Sequence, residues 1–354
     1  MTQPIKKKIQ PTSTVGRGKS FSSSELDSSN TIEWQDKNVS LFCGNSLNLY
    51  NQWSSPTTII SDGAYGILGF EGDTSSHNEL QEWYEPHIAE WSKAATPETT
   101  LWFWNTEIGW ATIHPILEKY GWRYVNCNLW NKGKGHIAGN VNTAKIRRFP
   151  VASEVCAHYV YEAKINNLTL QDWLRSEWKK TKLPMKKANE ACGVKAAAVR
   201  KYLDPGHLWY FPPKDMFEKM ARYANTYGDP EHMPYFSLDG KNILSANEWG
   251  KMRAKFNCPH GYTNIWERSA LRGKERIKAP KKAGKAAHLN QKPLDLMRLI
   301  IEASTDQNDI IWEPFGGLFS ASLAAKMLNR KAYAAELDRD YFTLGTQRFE
   351  NIKI

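Results

Sequence analysis

Residues 308–338 read N-D-I-I-W-E-P-F-G-G-L-F-S-A-S-L-A-A-K-M-L-N-R-K-A-Y-A-A-E-L-D. The apolar run Ile310–Trp312 stops at a proline and a pair of glycines, as a buried strand does on entering a turn. Residues 320–330 are rich in Ala, Leu, Lys and Met and predict a helix. The apolar stretch 331–338 predicts a second strand. Strand, glycine turn, helix and strand make half of a nucleotide-type α/β unit. Glycine lets the backbone approach a ligand closely, and a helix N-terminus offers free N–H groups. Glu336 stands 20 residues after Gly316. At that separation an acid on the following strand reaches a ribose hydroxyl in dinucleotide folds. A tight turn would account for Gly316 and Gly317 alone, whereas the added acid predicts an adenosine-containing cofactor.

The same alternation extends on both sides. Helices are predicted at 293–304 and 340–352. Strands are predicted at 38–43, 57–61, 99–105 and 123–130, with helices at 79–93 and 110–119 between them. Pro86 should bend the first of these helices or reset its start. The pattern predicts a doubly wound α/β sheet with mostly parallel strands. The middle of the chain is different, with helical patterns at 168–180, 184–203 and 212–228 and a break at Gly193. The first two, with Val199, Arg200 and Tyr202 on the second, resemble a helix-turn-helix and equally fit an ordinary helical hairpin packed on the core. Residues 1–30 are rich in Ser, Thr and Lys without periodicity and are expected to form a flexible tail. The expected layout is therefore a tail (1–30), a first half of the core (31–160), a helical insert (161–263) and a second half of the core (264–354).

The 354 residues are 41% hydrophobic and 24% charged, a soluble globular balance. No run approaches the roughly 18 apolar residues of a membrane span. The segment after Lys6–Lys8 is polar, so no signal peptide is expected. The five cysteines at 43, 127, 156, 192 and 258 are scattered and form no C-x-x-C pair. That argues against a disulfide framework and a zinc site, and predicts a cytoplasmic protein with no metal. The net charge is +10, and residues 131–290 hold 30 Lys+Arg against 14 Asp+Glu. The rest of the chain holds 17 against 23, so one stretch carries all the excess. A lysine-rich solvated face would give the same numbers, but 15 Trp and 15 Tyr, many interleaved with the cations, favour a surface for nucleic acid.

Two further segments carry chemistry. Ser61-Asp62-Gly63-Ala64-Tyr65-Gly66 ends a predicted strand. An acid and an aromatic this close can face one pocket, the acid accepting from an amino group and the ring stacking on a planar base. An Asp-Gly turn is the plain alternative. His288-Leu289-Asn290-Gln291-Lys292-Pro293 is polar and precedes a helix.

In the order D-G-A-Y, H-L-N-Q-K-P, E-P-F-G-G and Glu336, the chain resembles the β-class amino-methyltransferases of DNA. Their motifs read [DNS]-P-P-[YFW], H-P-x-Q-K-P and D-P-F-x-G-S-G. The resemblance covers about residues 38–160 and 264–350, and the block from H-x-x-Q-K-P to E-P-F-x-G is its most specific part. It implies a seven-stranded, mostly parallel sheet of the S-adenosylmethionine (SAM)-dependent methyltransferase type with a basic helical target-recognition insert. It implies methyl transfer from SAM to an amino group of a flipped-out base in double-stranded DNA, in a restriction-modification system whose endonuclease is the functional counterpart. The enzyme would act as a monomer or homodimer. By motif, Ser61, Asp62, Gly63, Ala64 and Tyr65 would form the target-base pocket. Phe315, Gly316, Gly317 and Glu336 would hold SAM, with Gln291 and Lys292 nearby. Asn45 stands where the class often has an acid facing the adenine. Gly63-Ala64 replaces the two prolines, and Leu318-Phe319 replaces Ser-Gly.

The variant S-D-G-A-Y-G, with W-F-W-N at 102–105 and G-H-I-A-G-N at 135–140, resembles a small type II subgroup and implies cytosine N4 as the target. By the first motif residue alone, Asp points to adenine N6 and Ser to cytosine N4. Ser61 and Asp62 are adjacent, so the motif leaves both open. Other readings are a methyltransferase of RNA, a non-catalytic DNA-binding regulator and a nuclease. The last would need a D-x(n)-E-x-K carboxylate set, and no persuasive one is seen.

Overall fold

The computed structural model describes residues 32–68, 73–133, 147–194, 201–279, 286–288 and 290–350. The predicted tail, the G-H-I-A-G-N stretch, and Val199 and Arg200 of the helix-turn-helix reading lie outside the described residues. In chain order the strands are β1 (Ile32–Gln35), β2 (Val39–Cys43), β3 (Thr58–Ser61), β4 (Thr100–Asn105), β5 (Trp122–Asn131), β6 (Ser153–Tyr161), β7 (Lys164–Ile165), β8 (Leu168–Thr169), β9 (Ile265–Glu267), β10 (Ile310–Glu313) and β11 (Lys331–Glu336). The helices are α1 (Leu80–Ala94), α2 (Glu107–Lys119), α3 (Leu170–Lys180), α4 (Met185–Ala191), α5 (Lys214–Tyr227), α6 (Ala246–Gly250), α7 (Leu294–Ser304), α8 (Ser320–Met327) and α9 (Arg339–Glu350).

One sheet runs in the order β1-β2-β11-β10-β3-β4-β6-β5-β9. It has nine strands, not the seven expected, and it is mixed: five neighbouring pairs are parallel and three antiparallel. Before β2 the chain turns at Asp36, whose Oδ1 accepts the N–H groups of Asn38 and Val39 at 2.8 Å each, and β1 folds back as an antiparallel edge. At the opposite edge β9 adds parallel to β5, pairing Leu129 with Ile265. β6 lies antiparallel between β4 and β5. Its sequence S-E-V-C-A-H-Y-V-Y hides it, because Glu154 and His158 break an apolar pattern yet are both buried.

Helices cover both faces of the sheet. On one face Leu296, Ile300, Leu323, Phe342 and Phe349 pack against Val39, Leu41, Trp102 and Ile311. On the other Leu80, Tyr84, Ile88, Trp91, Ile113 and Leu117 pack against Ile59, Phe103 and Trp312. Strands enclosed on two sides read as continuous apolar runs, which is why β3, β4 and β10 were legible. Pro86 lies inside α1 and does not set its start.

Between β6 and β9 a further hydrophobic cluster gathers around Trp173, Trp178, Phe217, Phe236 and Trp249. Phe211 and Phe217 stack on Trp249 with centroids 4.4 and 4.5 Å away. Residues 161–263 hold 17 Lys+Arg against 11 Asp+Glu, whereas 268–285 hold eight against one. The cations are therefore densest beside the insert rather than within it.

The turn after β10 carries two left-handed residues, Gly317 and Phe319, each at φ 53°. For a bulky residue that conformation is costly, and the buried Phe319 ring needs space. Gly316 and Gly345 provide it, since a Cβ on either would come within 2.2 or 2.5 Å of that ring. The ring thus occupies the room left by two missing side chains. The start of α8 is tied to β10 by the buried Glu313 carboxylate. Its Oε1 accepts from the Ala321 N–H at 3.0 Å, and its Oε2 accepts from the Ser322 N–H at 2.7 Å and the Ser322 hydroxyl at 2.6 Å. Glu313→Ala leaves two buried helix N–H groups without acceptors, and urea denaturation should show a loss of about 2–4 kcal/mol in unfolding free energy.

Candidate functional site

β10 pairs with β11 on one side and β3 on the other, so its end is where the strand connections diverge. Ligand crevices in open α/β sheets form at such points. The ends of β2, β3, β10 and β11 enclose a cleft of about 500 Å³. Of the residues singled out from sequence, Asn45, Asp62, Gly63, Tyr65, Phe315, Gly317 and Glu336 line it. Two segments about 250 residues apart in the chain thus meet side by side, and a Cβ on Gly63 would lie 2.7 Å from the Phe315 ring.

The other predicted residues sit behind the cleft or elsewhere. Ser61 and Ala64 are buried. The Ala64 carbonyl accepts from the Tyr84 hydroxyl at 3.1 Å and the Asn105 amide at 2.8 Å. The Gly316 N–H donates to the Ala335 carbonyl at 2.7 Å and joins the turn to β11. Gln291 is buried, and its amide donates to the Glu275 carbonyl at 2.9 Å and accepts from the Ile277 N–H at 3.1 Å. It pins a neighbouring loop and does not line the cleft.

Lys292 reaches the acidic group at the end of β3. Its side chain is 4% exposed, and Nζ donates to Asp62 Oδ1 at 2.6 Å, Glu154 Oε1 at 3.0 Å and the Asn290 carbonyl at 3.3 Å. The Tyr65 hydroxyl lies 2.8 Å from Asp62 Oδ1 and 2.6 Å from Glu154 Oε1, so it bridges the two carboxylates. Lys132 closes the group, 2.7 Å from Glu154 Oε2. Burial disfavours every charge here, and the pairing decides the outcome. Burial would raise Glu154, but its two ammonium partners, Lys292 and Lys132, hold it at about 2. Asp62 shares only one of them, and burial pushes its carboxyl above the usual range. Burial works against the Lys292 charge, yet Asp62 and Glu154 hold its pKa above the ordinary lysine value.

Asp62 therefore has one oxygen, Oδ1, taken by both Lys292 and Tyr65. Among the described residues nothing donates to its Oδ2 or to the Gly63 carbonyl. Both residues line the cleft, and two acceptors can receive two N–H groups of a planar amine. Across the cleft, Glu336 accepts from the Gly317 N–H at 2.6 Å and the Asp338 N–H at 2.8 Å, and burial holds its carboxyl up to about 7. Asn45 Oδ1 takes the Leu47 N–H at 3.0 Å. Sequence reasoning missed Glu154 and Lys132, and also Trp83, His87, Asp338 and Tyr341 on the cleft wall. Glu154 left one signal, an acid inside an otherwise apolar stretch.

The sequence pattern of the DNA methylase family matches residues 50–347. The chain belongs to that family. Among its relatives, the type II methyltransferase M.HindIII of Haemophilus influenzae is 27% identical over 279 residues, 78% of this chain and 72% of that one. The type II methyltransferase M.HinfI of Haemophilus influenzae is 36% identical over 133 residues, 38% of this chain and 35% of its own length. M1.MboII of Moraxella bovis is 31% identical over 130 residues, 35% of this chain and 48% of its own. The chain thus spans about a third to a half of the last two relatives. The structure of PvuII DNA methyltransferase (cytosine-N4-specific) superposes with a TM-score of 0.51 at 15% identity, covering 90% of this chain and 89% of that one, a likeness of fold.

The Glu336 carboxyl keeps its proton in the folded cleft up to about pH 7, while an unfolded glutamate loses it near 4.3. Folding therefore binds a proton between those values, and stability falls as pH rises through that window. The melting temperature should drop more from pH 5 to pH 8 in the wild type than in Glu336→Gln. Glu313 titrates in both proteins, so the difference between them reports Glu336 together with its repulsion from Glu313.

Proposed function

We propose that the chain is a site-specific DNA methyltransferase of the type II restriction-modification kind. It transfers a methyl group from SAM to the exocyclic amine of a base flipped out of double-stranded DNA. Cytosine N4 is the favoured target and adenine N6 the second. The observation that carries this reading is the pair of free acceptors, Asp62 Oδ2 and the Gly63 carbonyl, set beside Phe315 and Gly317 in one cleft. Family membership and the type II relatives support it.

The cleft fits SAM in volume and chemistry. About 500 Å³ lies within the usual range of cofactor pockets. Glu336 offers lone pairs to ribose hydroxyls, and the rings of Trp83, Phe315 and Tyr341 offer faces to an adenine or a cation. When bound, SAM supplies a methyl group on a sulfonium, whose C–S electron pair stays with sulfur as the N–C bond forms. The chain's residues prepare the other partner. An exocyclic amine is a weak nucleophile because its lone pair is delocalised into the ring. Donation of its two N–H groups to Asp62 Oδ2 and the Gly63 carbonyl draws the nitrogen toward tetrahedral geometry and localises that pair. Asp62 takes the proton that the nitrogen gives up. The rate gain comes from positioning and fixed electrostatics.

The base must leave the duplex to enter, and the Tyr65 ring, anchored through its hydroxyl, is the surface for it to stack on. The cation-rich stretches of sequence suit phosphate contacts, and the helical insert suits base reading. The partners of this reading are double-stranded DNA, SAM and a cognate endonuclease. A monomer methylating each strand in turn, or a homodimer, would serve it. The preference for cytosine rests on the S-D-G-A-Y-G, W-F-W-N and G-H-I-A-G-N pattern. It resembles a small type II subgroup that includes the modification enzyme of the BglI restriction system. Asp62 as the acceptor is what keeps adenine N6 as the second reading.

Incubation with SAM and varied duplex DNA, followed by nucleoside analysis, should yield N4-methylcytosine. N6-methyladenine would select the second reading, and no methylated base would refute both. Asp62→Ala should keep SAM and DNA binding while transfer of tritiated methyl falls to background.

A further inference from the structure

We propose that Glu154 is a positioning residue for methyl transfer: backed by Lys132, it holds the Tyr65 hydroxyl and the Lys292 ammonium against one oxygen of Asp62, which leaves the other oxygen for the target amine. The inference rests on the amino-methyltransferase reading above. Glu154 comes from β6, on the far side of β4 from Asp62, and it does not line the cleft. It nevertheless touches both groups that fix Asp62, at 2.6 Å from the Tyr65 hydroxyl and 3.0 Å from Lys292 Nζ. Without it, Lys292 and Tyr65 would be free to turn to either oxygen of Asp62. Lys132, with a side chain 18% exposed, supplies the second positive charge that lets two carboxylates share one buried space.

The charged and titratable groups around this set come from every packed element. Asp62 and Tyr65 follow β3, Glu154 and the buried Cys156 lie on β6, and Lys132 follows β5. Lys292 and His288 precede α7, and Tyr84 lies on α1. Of these, Glu154 and Lys132 do not themselves line the cleft. Their charges act on Asp62 in opposite directions. Glu154 opposes the ionisation of Asp62, and Lys132 favours it by neutralising Glu154.

The test measures kcat against pH with tritiated SAM and a duplex that the wild type methylates, for Glu154→Gln and Lys132→Gln. SAM binding by calorimetry reports whether each variant is folded. Transfer needs Asp62 ionised, so the rate falls on the acid side. Glu154→Gln should move that acid limb to lower pH by about one pH unit. It should also reduce the plateau kcat at least about tenfold with unchanged SAM affinity, because the amine acceptor is no longer held in place. Lys132→Gln should move the limb to higher pH. A merely structural role would move neither limb. Should Glu154→Gln fail to bind SAM, Lys132→Gln decides alone: an upward move supports the inference and an unmoved limb overturns it. Transfer with both limbs at the wild-type position overturns this inference and leaves the enzyme reading standing. Absence of transfer by the wild type overturns the enzyme reading and the inference with it.

Discussion

A lysine ammonium with 4% exposure cannot remain in a protein interior without carboxylates around it. Lys292 therefore constrains three parts of the chain at once: the end of β3, the start of β6 and the loop ahead of α7. Removing a partner from such a group leaves an uncompensated buried charge, which costs about 3–5 kcal/mol, although the intact pair adds little net stability. Its value lies in specification. The contact joins Lys292 to Asp62 across 230 residues, and the ammonium also lies 5.5 Å from the Tyr65 ring and 5.4 Å from the Trp104 ring. Asp62 Oδ1 is thereby engaged twice, and among the described residues nothing donates to Oδ2.

The physics of each element decides how much of this could be read from residues alone. β10, its glycine turn, α8 and β11 were legible because a buried parallel strand is apolar throughout and glycine marks where the chain must turn sharply. β6 was not legible, because two of its buried positions, Glu154 and His158, are polar and satisfied or sheltered only by the tertiary fold. β1 and β9 are four and three residues long and gain strand character from the neighbour they join. At the site, motif order located Asp62, Phe315 and Glu336. It could not show that Lys292 faces the aspartate, or that Gln291, its neighbour in sequence, serves a loop. Adjacent side chains in an extended segment point in opposite directions, and only the fold decides which of them meets the cleft.

The charge pattern also takes on a different meaning in three dimensions. The surplus of cations in residues 131–290 suggested a basic insert. Residues 161–263 carry 17 cations against 11 acids around a core of stacked aromatic rings, and the cations are densest in residues 268–285. Lys132, which follows β5, belongs to that surplus and reaches the buried charge group. Gly316 and Gly345 show the same interdependence on a smaller scale, since both lack side chains for the sake of the Phe319 ring.

β10 and β11 occupy the middle of the sheet, although they come after all its other strands in the order a ribosome makes them. Until residue 336 has been synthesised, β2 and β3 each lack the neighbour that separates them, and neither half of the cleft has its opposite wall. The cleft is complete only once these late strands lie between β2 and β3.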